Sequence, residues 1–166
     1  MWARHKSSGF TIVELLIVIV VIGILAAIVV VAYNGITNSA RKSTIESDLT
    51  NAKKKMMLYK TGNSTYPSNA TQLGNADIRA SKTVYDTAGN NFYYCYNQAT
   101  DEFAIGARTI SNSAAYIINS LGGLQQVGSV TGDNVCQSIA LTGWTDPNTF
   151  ISNGYTNGSG WQSWVK

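Results

Sequence analysis

The residues able to do chemistry are few. The chain has a single histidine, His5, near its start. The rest has no imidazole for general-base or metal work, so Ser-His-Asp and Cys-His arrangements are excluded. Asp101 and Glu102 form an adjacent acid pair on a turn-like stretch, and such pairs are usually solvated. There is no glycine-rich phosphate loop. Two cysteines, Cys95 and Cys136, lack the partners a four-ligand zinc site requires. An even cysteine count after an export signal suggests one disulfide instead. It would close a loop of about 42 residues, worth on the order of 4 kcal/mol in the chain-entropy model. These features argue against an enzyme, and no cofactor is expected.

One ionisable residue is out of place. Glu14 lies in "KSSGFTIVELLIVIV", inside an apolar run that continues from Ile12 to Ala32. A carboxylate in hydrocarbon costs roughly 2.5–3.5 kcal/mol even on lenient insertion scales. After Lys6 the next basic residue is Arg41, so nothing in the run itself offsets the charge. The run is long enough to cross a bilayer core as a helix. Arg4, His5 and Lys6 precede it, which keeps the N-terminus on the cytoplasmic side. It is too long for an ordinary secretory h-region, and no turn follows it.

Helical character continues past the run. Ile45, Leu49, Ala52, Met56 and Tyr59 make one apolar stripe at helical spacing, suited to packing on a sheet. Gly62 is the expected stop. Gly23 and the Asn34-Gly35 pair are the expected weak points, since glycine costs about 1 kcal/mol against alanine in a helix. "TQLGNADIRAS" holds at most a short helix. "NFYYCYN", "EFAIGARTI" and "AAYIINS" read as three strands of an antiparallel meander. "DNVCQSIAL" reads as a short helix capped by Asp133 or as a strand. The segment from residue 122 to the end has no settled reading. The fold class is α+β, a long N-terminal helix packed on a small antiparallel sheet. Charged residues are only 13% of the chain, about half the usual share of roughly 25%. The net charge of +3 gives no bulk case for nucleic-acid binding. Lys53, Lys54, Lys55, Arg79 and Lys82 supply local positive charge that reads as a solvated face, and direct DNA binding is not expected.

Lys6, Gly9, Phe10, Thr11, Glu14 and the helix from Leu15 to Val31 resemble the N-terminus of type IV pilins. The resemblance is specific over about the first 35 residues and architectural beyond them. It implies a leader (residues 1–9), a transmembrane and filament-core helix (10–33), an amphipathic helix half (34–60) and a globular head (61–166). It also implies cleavage between Gly9 and Phe10 by a prepilin peptidase, N-methylation of Phe10, and polymerisation into a helical filament by an inner-membrane assembly platform. The chain would sit in the cytoplasmic membrane before assembly and in an extracellular pilus afterwards. Glu14 would then meet the ammonium of Phe10, in its own chain or a neighbour's. Each charge is costly alone in an apolar bundle, and pairing offsets the penalty. Many pilins carry a proline in this helix; here that position is Val31, so any break in the filament is expected at Gly23 or Asn34-Gly35.

The main functional expectation is a major pilin for adhesion, twitching motility or DNA uptake. The alternatives are a pseudopilin of type II secretion, and a minor pilin or anchored adhesin whose tail aromatics bind sugars or surfaces. Major pseudopilins often carry a C-terminal calcium site. Here Asp133, Asp146 and backbone carbonyls are sparse for a cation that takes 6–8 oxygens, and no metal site is expected.

Overall fold

The apolar stripe sets the architecture. In the computed structural model, which describes residues 9–110, 114–143, 145–147 and 149–166, helix α1 spans Ile12–Asn63. The chain divides into two compact units between Ser39 and Ala40. The boundary falls within α1, so the amphipathic part of the helix belongs with the head. In the first unit every side chain from Ile12 to Val31 is exposed. α1 is helical through Gly23, Asn34 and Gly35 in this single subunit. Its C-terminus lies at Asn63, one residue past Gly62. Ser64 adopts a left-handed φ of 69° and its N–H donates to Lys60 O at 2.8 Å. The left-handed turn at Ser64, rather than the glycine, ends the helix, and the bond caps its last turn.

In the second unit Ile45, Leu49, Ala52 and Met56 are buried, with Tyr59 packed beside them. They lie against a six-stranded antiparallel sheet of order β4-β3-β2-β1-β5-β6. The strands are β1 (Asn91–Asn97), β2 (Glu102–Arg108), β3 (Ala115–Asn119), β4 (Gln125–Val127), β5 (Thr149–Thr156) and β6 (Gly160–Trp161). The expected meander is β1-β2-β3. The last strands pair onto the other edge of β1, with Cys95 opposite Ala104 on one side and Ile151 on the other. β1 is therefore central and buried along its whole length.

Alternate residues of β1 face two different cores. Phe92, Tyr94 and Tyr96 join Phe103, Ile105, Tyr116 and Ile118 under α1. Tyr93 and Cys95 join Ala104 and Ile117 on the opposite face. That second face is covered by helix α3 (Gly132–Gln137) and its flanks, through Val130, Val135, Cys136, Ile139 and Leu141. Thr131, not Asp133, caps α3: its hydroxyl accepts from Asn134 N while Asn134 Oδ1 accepts from Thr131 N. Threonine wins because the cap must precede the first helical residue, and Asp133 already lies in the first turn. Gly106 is required here, since a Cβ would run into Val135 Cγ2. Short helix α2 (Ala70–Asn75) is capped by Asn69, which accepts from Gln72 N at 3.0 Å.

Carboxylates fasten α1 to the rest of the head. Asp48 accepts from Ser81 N (2.7 Å) and the Tyr85 hydroxyl (2.9 Å). Asp101 was expected to be solvated; it is instead a clamp. It accepts from Tyr66 N (3.2 Å) and the Tyr96 hydroxyl (3.1 Å), and pairs with Lys60 at 2.7 Å. Burial raises its pKa, but Lys60, Tyr66 and Tyr96 outweigh that and hold it below the ordinary carboxylate value. Asp77, bonded by Lys166 and Lys55, is held far lower. A depressed carboxylate contributes stability that is present at neutral pH and lost as pH falls through its folded-state value. The head should therefore lose stability below about pH 4, where free carboxylates protonate. Asp77→Asn with Asp101→Asn should flatten that acid limb. Urea unfolding of the detergent-solubilised chain at neutral and acid pH checks this.

Candidate functional site

At the start of α1 the sequence T-I-V-E places an N-cap hydroxyl three residues before a carboxylate. Thr11 N donates to Glu14 Oε2 at 2.8 Å, and Thr11 Oγ1 donates to the same oxygen at 2.8 Å. Glu14 N approaches Thr11 Oγ1 at 3.2 Å. This is a reciprocal capping box, which satisfies two amide groups that a helix start leaves without intrahelical partners. The helix dipole also favours a negative charge here. Glu14 is thus compatible with its own helix before any other chain is present. The sequence reading included Thr11 in the motif but missed this role; a threonine three residues before a glutamate, ahead of an apolar run, was the available signal.

The geometry leaves part of Glu14 uncommitted. Both Thr11 bonds end on Oε2, and Oε1 makes no hydrogen bond among the described residues. Gly9 and Phe10 precede the helix in irregular, exposed backbone, and a Cβ at Gly9 would meet nothing within 4 Å. The Gly9–Phe10 peptide therefore stands clear of the helical hydrogen bonds. Hydrolysis there would create an ammonium next to the N-cap. That end of a helix disfavours a cation, so the new charge needs an anion. Arg4, His5 and Lys6 lie outside the described residues.

The other residues singled out from the sequence are placed as follows. Cys95 and Cys136 are joined, with Cα atoms 5.3 Å apart, and the bond ties α3 to the central strand. Trp164 is buried under α1 and Trp161 packs beside the same core, so these tail aromatics are packing residues. Trp144 lies outside the described residues. Asp146 accepts from Thr142 N (3.2 Å) and Thr142 Oγ1 (3.0 Å), fastening its own loop. Of the basic residues, Lys53 donates to Gly122 O, Lys55 and Arg79 reach Asp77, and Lys82 lies over the Trp161 ring.

Fold and site together define a pilin-like chain: an exposed apolar helix with an acid at its start, continuing onto an α+β head. Residues 4–30 match the family model described as the prokaryotic N-terminal methylation motif. Similar proteins are named type II secretion system core protein G. The chain is 36% identical over 71 residues to that of Dickeya chrysanthemi, covering 43% of this chain and 46% of the relative. It is 34% identical over 90 residues to that of Escherichia coli, covering 54% and 61%. For Pseudomonas aeruginosa the values are 37% over 71 residues, 43% and 49%. The chain spans about half the length of the curated relatives it matches, somewhat more in the Escherichia coli case.

Proposed function

We propose that this chain is a structural subunit, not an enzyme, which is cut between Gly9 and Phe10 and polymerises through α1 into a secretion-type pseudopilus. The observation that carries the reading is the Thr11–Glu14 box at the head of a helix whose apolar side chains are all exposed from Ile12 to Val31. Burying a Leu, Ile or Val side chain is worth about 1.5–3 kcal/mol. A helix of such residues needs lipid first and sister helices later. The names of the relatives favour the short periplasmic secretion fibre over the long surface pilus. A surface pilus for adhesion, motility or DNA uptake is the second reading, favoured by the disulfide and the sparsely charged head. Sugar binding by Trp161 or Trp164 loses support, because both rings pack with the core.

Membrane insertion, a prepilin peptidase and an assembly platform belong to this reading. Intact mass and N-terminal sequencing of the protein, extracted from membranes and from isolated fibres, test it. The expected product begins at methylated Phe10 and retains the Cys95–Cys136 bond. A product that still begins at Met1, or that is cut near Asn34, overturns it. Fibres confined to the periplasm support the first reading, and fibres sheared from the cell surface support the second.

A further inference from the structure

Two cavities open side by side along the outer face of α1 in the head, of about 380 and 300 Å3. They share Lys55, Leu58 and Asp77. Leu58 is 68% exposed, so the groove has an apolar ridge. Its lining carries both signs and is net positive. Lys55, Arg79 and Lys166 converge on Asp77 at 3.0, 3.7 and 2.8 Å. Lys54 lines the first cavity, is exposed, and has no ion-pair partner among the described residues. Asp48 also lines it, but the lining bases Lys54, Lys55 and Arg79 outnumber the lining acids Asp48 and Asp77.

The other side of the sheet carries the opposite sign. Between Thr109 and Val165 the only charged residues are Asp133 and Asp146. Both sit on the layer built around α3. A Cβ at Gly143 would lie 2.8 Å from Asp133 Oδ1, and Asp146 N donates to Gly143 O at 3.4 Å. The two acids therefore flank the same short loop. Asp133 is exposed and Asp146 partly so.

We propose that the groove beside α1 receives the Asp133–Asp146 surface of a second copy of this chain. The inference rests on the subunit reading above. The two complementary surfaces lie in the α1 and α3 layers, on opposite faces of one sheet. A single copy cannot join them, and contacts between two different patches run head to tail. Such a contact propagates into an open helical array unless the rotation closes a ring. Charge complementarity of this kind also fixes register and suppresses wrong neighbours. In this arrangement the apolar helices supply cohesion, and the heads select which neighbour sits beside which.

The test is fibre yield from the full chain in cells carrying its assembly machinery. Lys54→Glu, a change at a side chain with no ion pair among the described residues, and Lys54→Glu with Arg79→Glu should each reduce fibre yield. The double variant should lose about tenfold or more, since juxtaposed like charges are strongly unfavourable at an interface. Adding Asp133→Lys and Asp146→Lys to the double variant should restore fibres. Thermal unfolding and disulfide formation of each variant establish that its head is folded. Unchanged yield from folded Lys54→Glu, Arg79→Glu chains overturns the proposal and leaves the groove to a partner other than this chain. Failure of the four-site swap to restore fibres, with a folded head, overturns it too. Absence of fibres from the unmutated chain overturns the subunit reading itself, a separate outcome.

Discussion

Glu14→Ala is expected to abolish fibre assembly while leaving the head folded. Two effects combine. The first is local: alanine removes the acceptor for Thr11 N and Oγ1. Loss of a cap costs about 0.5–2 kcal/mol of helix stability. The second is intermolecular and larger. In a bundle of apolar helices the ammonium of Phe10 would be left without its anion. Removing one partner of a buried pair costs about 3–5 kcal/mol. At about 1.4 kcal/mol per tenfold, that is roughly a hundredfold to a few thousandfold in association for each added subunit. The penalty recurs at every step of growth.

Glu14→Gln separates the two effects. Glutamine keeps an oxygen that can accept from Thr11 N, so the capping box survives, since Gln serves there nearly as well as Glu. It removes only the charge. The expected result is that Glu14→Gln fails to assemble as Glu14→Ala does, although its helix start is intact. Fibre recovery measures assembly, and near-ultraviolet circular dichroism of the detergent-solubilised subunit reports the head. Wild-type fibre yield from Glu14→Gln would reduce Glu14 to a helix cap and end the ion-pair account.

The legible parts of this molecule were those written in local periodicity. The stripe Ile45, Leu49, Ala52, Met56 specified which face of α1 meets the sheet, because helical spacing alone fixes that face. The runs NFYYCYN, EFAIGARTI and AAYIINS contain the three strands that follow one another, the last two shorter than their runs. The segment from residue 122 onward was not legible, for two physical reasons. β5 pairs with β1 across some fifty residues of chain, and nothing in "TFISNGYT" names its distant partner. α3 has only six residues, too short to declare a helical period. The local strain in β1 was also hidden. Phe92 takes a left-handed φ of 56°, held by Asn91, whose amide bonds Asp86 O, Arg108 O, Phe92 N and Arg108 N. Neighbouring Gly154 accommodates it, since a Cβ there would lie 2.9 Å from Phe92 Cδ1. At the start of α1 the motif was legible as a whole. The job of Thr11 was not, because its role lies in backbone amides at the helix start, and an apolar run does not by itself mark where that start falls.

Replacing both Cys95 and Cys136 with alanine is expected to destabilise the head by about 2–5 kcal/mol, the usual cost of removing a native disulfide from a small exported domain. The loss should be uneven. α3 is far below the length at which a helix is stable alone, so it exists through its attachments. Those include the disulfide, the burial of Val135 and Ile139, and two amide bonds from the sheet. Asn97 donates to Ile139 O at 3.1 Å and Asn119 to Ser138 O at 3.0 Å. The amides lie at the C-terminal side of α3, and Val130 and Val135 pack on the sheet toward its N-terminal side. Without the covalent link, the segment from Val130 to Leu141 should open before the sheet does. β1 and β2 keep their ladder and their cover under α1. Hydrogen exchange on the solubilised full chain should show protection lost first over residues 130–141, with β1 and β2 amides still slow. Urea unfolding should shift its midpoint by the amount stated. A shift below about 0.5 kcal/mol, within the range of an ordinary surface substitution, would mean that packing and the two asparagines hold α3 without the bond. Uniform loss of protection across the sheet would mean that the two faces of β1 fold as one unit.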